Sequence, residues 1–241
     1  MRHVVEIPAA DVVPERGAVL AALRIPVAAD AGRTRELLDG AIAAFTSRAE
    51  ARAVVQRIGA DTFTRVYRGQ GRNEQETPVT EVSPRAEDRA LFVLTLGQAL
   101  SDAIAGHFSG RELAEATMLD AVASEGADLA VGRVGAHYLV AARELGAVSA
   151  DAAVVPYSPG YCGWHISGQQ ALFEVVDPRE IEVSVNSSHL MLPLKSVSGV
   201  LLAATPEAHE FDDAFEFCDR CTSRGCRERL AAIGEEPPWR S

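Results

Sequence analysis

Arg89-Ala90-Leu91-Phe92-Val93-Leu94-Thr95-Leu96-Gly97 is the stretch on which the fold turns. It is an almost continuous apolar run closed by a glycine, and it predicts a buried strand. Next outward, Glu112 to Leu145 repeats Leu113, Ala116, Leu119, Ala123, Ala127, Val131, Val134, Tyr138 and Ala141 every three or four residues. That spacing predicts one long helix with an apolar stripe. Gly126, Gly132 and Gly135 interrupt it at a cost of up to about 1 kcal/mol each relative to alanine, which close packing against a neighbour would explain. Gly199 to Ala204 predicts a second buried strand, Ile181 to Val185 a strand by alternation, and Gly168 to Val176 a short helix. Between them, Pro156-Tyr157-Ser158-Pro159-Gly160-Tyr161 reads as an ordered non-helical loop, because two prolines and a glycine oppose regular structure.

Toward the N-terminus the reading is helical over residues 1–60. Arg33 to Ile58 carries Leu37, Leu38, Ile42, Phe45, Val54, Val55 and Ile58 at stripe-like spacing. Phe63, Val66 and Tyr67 among polar residues, followed by Gly69-Gln70-Gly71, predict a strand and a polar connector. No linker, repeat or composition break divides the 241 residues, so one domain is expected: a helical part over 1–60, a core over 61–205 and a cap over 206–241. With 47% apolar residues the chain can bury a sizeable core.

A net charge of −11 argues against a nucleic-acid partner, which needs a basic face. No apolar run is long enough to span a bilayer, and Met1 to Glu6 lacks the pattern of a secretory signal, so a cytoplasmic address is expected. Three of the four cysteines, Cys218, Cys221 and Cys226, cluster near the C-terminus; the fourth is Cys162. In a reducing compartment four thiolates predict a tetrahedral zinc site or an iron–sulfur cluster before disulfides. Arg220, Arg224, Arg227 and Arg229 interleave the cluster, and they would also lower thiol pKa values. There is no Gly-rich phosphate loop, nucleophile elbow or His-Glu-x-x-His pattern, so an independent catalyst is poorly supported.

Three separated segments carry a resemblance. They are Leu94-Thr95-Leu96-Gly97 with the helix containing Met118-Leu119-Asp120-Ala121-Val122-Ala123-Ser124-Glu125; Ser158-Pro159-Gly160-Tyr161-Cys162-Gly163-Trp164-His165-Ile166-Ser167-Gly168-Gln169; and Asn186-Ser187-Ser188-His189-Leu190-Met191-Leu192-Pro193-Leu194-Lys195-Ser196-Val197-Ser198-Gly199. Together, in this order, they resemble the reactivation domain of vitamin B12-dependent methionine synthase, especially its stand-alone relatives. The resemblance implies an α+β fold, a curved antiparallel sheet flanked by helices. It also implies a cleft that holds S-adenosylmethionine against a corrinoid carried by another molecule, with an electron from a flavodoxin- or ferredoxin-type donor restoring oxidised cobalt. Such a module works by positioning, holding a methyl donor in line with the metal so that transfer becomes effectively intramolecular.

Under that resemblance Ser158, Gly160 and Tyr161 line the cleft, Trp164 and His165 face the macrocycle, Ser196 and Ser198 present donors, and Glu125 meets a positive centre. Two departures stand out. Pro156 occupies the position where the family pairs an arginine with the ligand's carboxylate, and Leu201 to His209 lacks the family's adjacent tyrosines. Loss of such a charge-assisted contact costs about 1.5–3 kcal/mol. The corrinoid-ligating pattern Asp-x-His-x-x-Gly is absent, so cobalamin is expected only through a partner, a corrinoid-binding protein or a short methionine synthase. The alternative expectation is a Cys-ligated metal protein, redox or structural, that keeps the fold without the ligand.

Overall fold

A computed structural model describes residues 1–210 and Phe215. In chain order the elements are β1 (Arg2–Ile7), α1 (Arg16–Ala22), α2 (Gly32–Arg48), β2 (Ala51–Arg57), α3 (Ala60–Arg68), α4 (Pro78–Val82), β3 (Asp88–Thr95), α5 (Gln98–Ser109), α6 (Leu113–Glu144), β4 (Ala153–Tyr157), α7 (Gly168–Val176), β5 (Ser184–Val185), β6 (Met191–Leu192) and β7 (Ser196–Ala204). Five strands form one sheet in the order β1-β2-β3-β7-β4, and every neighbouring pair is antiparallel. β5 and β6 make a separate two-stranded ribbon.

β3 lies at the centre, and alternation along it feeds two cores. Ala90, Phe92 and Leu94 pack with Leu38 and Phe45 of α2, Leu100 of α5, and Leu119, Val122 and Val134 of α6. Leu91 and Val93 point the other way, into a core with Phe63 and Val66 of α3, Val79 of α4, Leu172 and Val176 of α7, and Trp164. Helices cover both faces, so both sets of side chains are apolar, and the period-2 signature of a half-exposed strand disappears. Each fully buried leucine or phenylalanine here contributes about 1.5–3 kcal/mol.

α6 runs 32 residues, roughly 48 Å, along one face of the sheet. Its Gly126 is a packing device: a Cβ there would sit 2.6 Å from Phe45 Cε2 and 3.1 Å from the Val12 carbonyl oxygen, so α2 approaches this closely only without a side chain. A polar rivet fixes α6 to the sheet. The Asp88 carboxylate, 5% exposed, accepts from Arg57 Nε at 2.7 and 2.8 Å and from the Tyr138 hydroxyl at 2.7 Å. Buried and paired on both oxygens, Asp88 satisfies the requirement that an interior charge have partners.

The structure corrects the reading of the N-terminal residues. Residues 1–60 contain β1 and β2 as well as helices, and these two strands complete the same sheet. The helix over Arg33 to Ile58 ends at Arg48; Val54 and Val55 belong to β2 and point to opposite faces. The expected strand near residue 63 is helix α3. Phe63, Val66 and Tyr67 stand at i, i+3 and i+4, which places them on one helical face. Pro156 and Tyr157, expected in a loop, form the end of β4, an edge strand where proline removes no interior ladder bond. The strand over Ile181 to Val185 shrinks to Ser184–Val185, preceded by a 3-10 turn over Pro178–Ile181. No helix among the described residues is long and apolar enough to cross a membrane.

Candidate functional site

The site follows from unequal strand lengths. β7 pairs with β3 along nearly its whole length, from Ser196 opposite Thr95 to Ala203 opposite Asp88. β4 is shorter, and its ladder with β7 stops at Tyr157 opposite Val200. Beyond that point the chain turns away through Ser158 and Pro159, leaving the Ser196–Gly199 side of β7 without a strand neighbour. An unpaired strand edge presents backbone donors and acceptors to whatever fills the space beside it.

That space is an open cleft of about 370 Å³. Ser158, Pro159, Tyr161 and Cys162 from the bend after β4 form one wall. His189, Leu190, Met191 and Leu194 form another, with Ser196, Val197 and Ser198 continuing from it along β7. Asp128 and Val131 of α6 and Gln169 of α7 complete the lining. The proline–glycine–tyrosine bend and the serine-rich start of β7, distant in sequence, therefore meet across one cavity. Tyr161, Leu190 and Leu194 at the cleft, with Leu192 beside them, are each about half exposed. Large apolar side chains grouped at a cavity mouth mark a surface suited to contact.

The bend is held by its own backbone. Gly160 adopts φ 94° and donates its N–H to the Trp164 carbonyl at 2.7 Å; Trp164 returns a bond to the Tyr161 carbonyl at 2.9 Å. Cys162 and Gly163 also have positive φ, 50° and 73°. Tight looping of this kind throws Tyr161 outward and Trp164 inward. Trp164, expected at an aromatic rim, is instead 1% exposed and packs edge-on to Phe63 and against Tyr67. It belongs to the core that α3 and α7 share with the sheet. Its indole also sets the approach of α7: a Cβ on Gly168 would overlap the Trp164 ring nitrogen.

His165 stands outside the lining and is tied into the loop. Its backbone N–H donates to Asn73 Oδ1 at 2.9 Å, and its Nδ1 accepts from the Ser167 N–H at 3.1 Å. Burial, with Arg72 and His189 nearby, holds the ring below the ordinary histidine pKa. Glu125 lies on α6, half-buried, and is not among the lining residues either. Burial first, then the Asp128 charge one turn along, pushes its carboxyl above the usual range. Asp128 is the α6 carboxylate that reaches the cleft.

Ser196 and Ser198 line the cleft and also hold it together. Ser196 Oγ lies 2.7 Å from the Pro193 carbonyl oxygen and 3.0 Å from Thr95 Oγ1. Ser198 Oγ accepts from Gln169 Nε2 at 3.3 Å. The remaining amide atom of Gln169, Oε1, is buried without a hydrogen-bond partner, in a residue only 4% exposed. Lys195 faces away from the cavity: its Nζ pairs with the Asp120 carboxylate at 2.9 Å and donates to Ser124 Oγ at 2.8 Å, pinning this wall to α6. Sequence reasoning missed Gln169 and Asp128. Gln169 closes the quoted Ser158–Gln169 segment, and Asp128 follows Glu125 by one helical turn, so both signals were adjacent to residues already singled out.

Cys162 lines the cleft, whereas Cys218, Cys221 and Cys226 lie outside the described residues. Among the described residues no three histidine, cysteine or acidic side chains gather as a metal site would require.

No protein-family model matches this chain, and no curated protein matches it in sequence. Among solved structures, it is similar to a crystal structure of the MetH reactivation domain bound to AdoHcy. The TM-score is 0.55 at 13% identity, covering 89% of this chain and 80% of that one. The likeness establishes the fold: an α+β arrangement with an antiparallel sheet flanked by helices, as in the reactivation domain.

Proposed function

We propose that this chain is an accessory module of a corrinoid-dependent methyl-transfer system. It docks on a separate corrinoid-binding protein or a short methionine synthase and supports cobalt reactivation by presenting an S-adenosyl ligand in the cleft. One observation carries the reading: the Ser158–Cys162 bend and the Leu194–Ser198 segment line the same open cavity, and the mouth of that cavity is ringed by half-exposed apolar side chains. A concave site of mixed polar and apolar lining with an apolar rim suits a flat, amphipathic partner surface such as a macrocycle held in another protein. The module's contribution is geometric, bringing donor and acceptor into line. A metal-protein reading on the same fold draws on Cys162 at the cleft and on Cys218, Cys221 and Cys226 outside the described residues, and metal content after anaerobic purification separates the two.

The test is an anaerobic titration of the full chain with a corrinoid-binding protein in its Co(II) state, followed by gel filtration and visible spectroscopy. A complex and a change in the corrinoid spectrum are expected. Tyr161→Asp should weaken the complex at least about tenfold, because it places a charge in the apolar rim. No complex and an unchanged spectrum would overturn the proposal.

A further inference from the structure

The charge pattern of the cleft narrows its ligand. Among the described lining residues there is no lysine or arginine, and the side chain carrying a formal charge at neutral pH is Asp128. The nearby Lys195 ammonium is turned to Asp120 and Ser124. Tyr161 adds an aromatic ring to the same cavity, and aromatic faces attract cations. A separate feature favours a ligand with a hydrogen-bonding group. Gln169 is 4% exposed, lines the cavity, spends one end of its amide on Ser198 and leaves the other end buried with no partner. Leaving such a group unsatisfied is costly, and a polar ligand atom removes the cost. Glu125, one turn from Asp128, feels the same negative potential, which adds to burial in disfavouring its ionised form.

We propose that the cleft selects permanently charged organic cations: its ligand carries a sulfonium or quaternary ammonium centre toward Asp128 and Tyr161 and a hydrogen-bonding group toward the Gln169 amide, and any carboxylate or primary ammonium it bears goes unrecognised. The inference deepens the S-adenosyl reading above and rests on it for the choice of probes. A positive centre gains from a carboxylate and an aromatic ring at the mouth of a concave site, whereas an anionic group meets no lysine or arginine among the described lining residues.

The experiment is calorimetric titration of the full chain with S-adenosylmethionine, decarboxylated S-adenosylmethionine, AdoHcy and the plain aromatic cation benzyltrimethylammonium. The two sulfonium compounds should bind within about threefold of each other and at least about tenfold tighter than AdoHcy, which lacks the positive sulfur. Asp128→Asn, at an exposed helix position that should leave folding intact by circular dichroism, should erase that preference and leave AdoHcy binding unchanged. AdoHcy binding as tightly as the sulfonium compounds, or a tenfold loss on removing the carboxylate, would overturn the inference while leaving the S-adenosyl reading in place. Benzyltrimethylammonium binding that is lost in Asp128→Asn, with every adenosyl compound silent, would support cation selection and sink the S-adenosyl reading. Silence from all four would overturn the inference, with the docking proposal still judged by its own titration.

Discussion

The two halves of β7 share a strand and little else. From Val200 to Ala204 it lies between β3 and β4, and every residue is fully buried and apolar or alanine. From Ser196 to Gly199 it has β3 on one side and the cleft on the other, and the side chains become serine, valine, serine and glycine. The doubly paired half has all its backbone bonds made by neighbours and only needs apolar packing. The singly paired half must tolerate an open edge, so it carries hydroxyls that hydrogen-bond locally, as Ser196 does to Pro193 and Ser198 to Gln169. The packed core and the lining of the proposed binding cleft are thus written on consecutive residues of one strand. The boundary is set by where β4 stops.

Three substitutions probe that division. The largest effect is expected from Leu202→Ala in the doubly paired half, where the cavity left behind should cost about 3 kcal/mol in urea unfolding, with ligand affinity per folded molecule unchanged. If the mutant unfolds no more easily than the parent, the packed half is not the stabilising one. Next comes Gly199→Ala at the boundary itself. Its Cβ would overlap the Tyr157 carbonyl oxygen and lie 2.9 Å from Phe92 Cε1, so about 2 kcal/mol should be lost and the end of β4 displaced. Binding at the cleft should fall too, which neither half alone would predict.

The smallest effect concerns pH. His209, 3% exposed, reaches the Ala153 carbonyl with its Nε2 at 3.2 Å, fastening the start of β4, and its Nδ1 is buried without a partner. Burial holds its pKa below the ordinary histidine value. In that situation the unfolded chain takes up the proton first. The stabilising contribution is therefore whole above the ordinary value and lost as pH falls through the lower folded value. Between pH 7 and pH 5.5 the parent should lose less than about 1 kcal/mol through this residue, and His209→Gln should lose less than the parent over the same interval. An identical acid response in both proteins would remove His209 from the account.

How much of this was visible beforehand depends on how local the signal is. β3, β7, α6 and α7 were legible because long apolar runs and a sustained 3.6-residue period survive any tertiary context. β2 was hidden because Val54 and Val55 continue the spacing of the helical stripe before them, and a strand covered on both faces has no alternation to betray it. α3 was mistaken for a strand because three apolar residues in nine offer few positions to distinguish the two periods. In the site, the bend and the serine-rich segment were recognisable by residue type. Trp164 was not placeable, since an aromatic residue in a loop suits a rim or an interior equally well until its neighbours Phe63 and Tyr67 are known.

The amino-acid order alone determined which stretches are apolar enough to enter a core, where prolines and glycines force the chain to bend, and which polar residues travel with those bends. Tertiary structure decided that β4's ladder with β7 stops at Val200, four residues short of Ser196 where β7's ladder with β3 starts, that Gln169 is turned under the resulting gap, and that Asp128 rather than Glu125 reaches it. Those outcomes depend on relative strand register and on the rotation of α6 about its axis, and both are set by contacts between residues far apart in the chain.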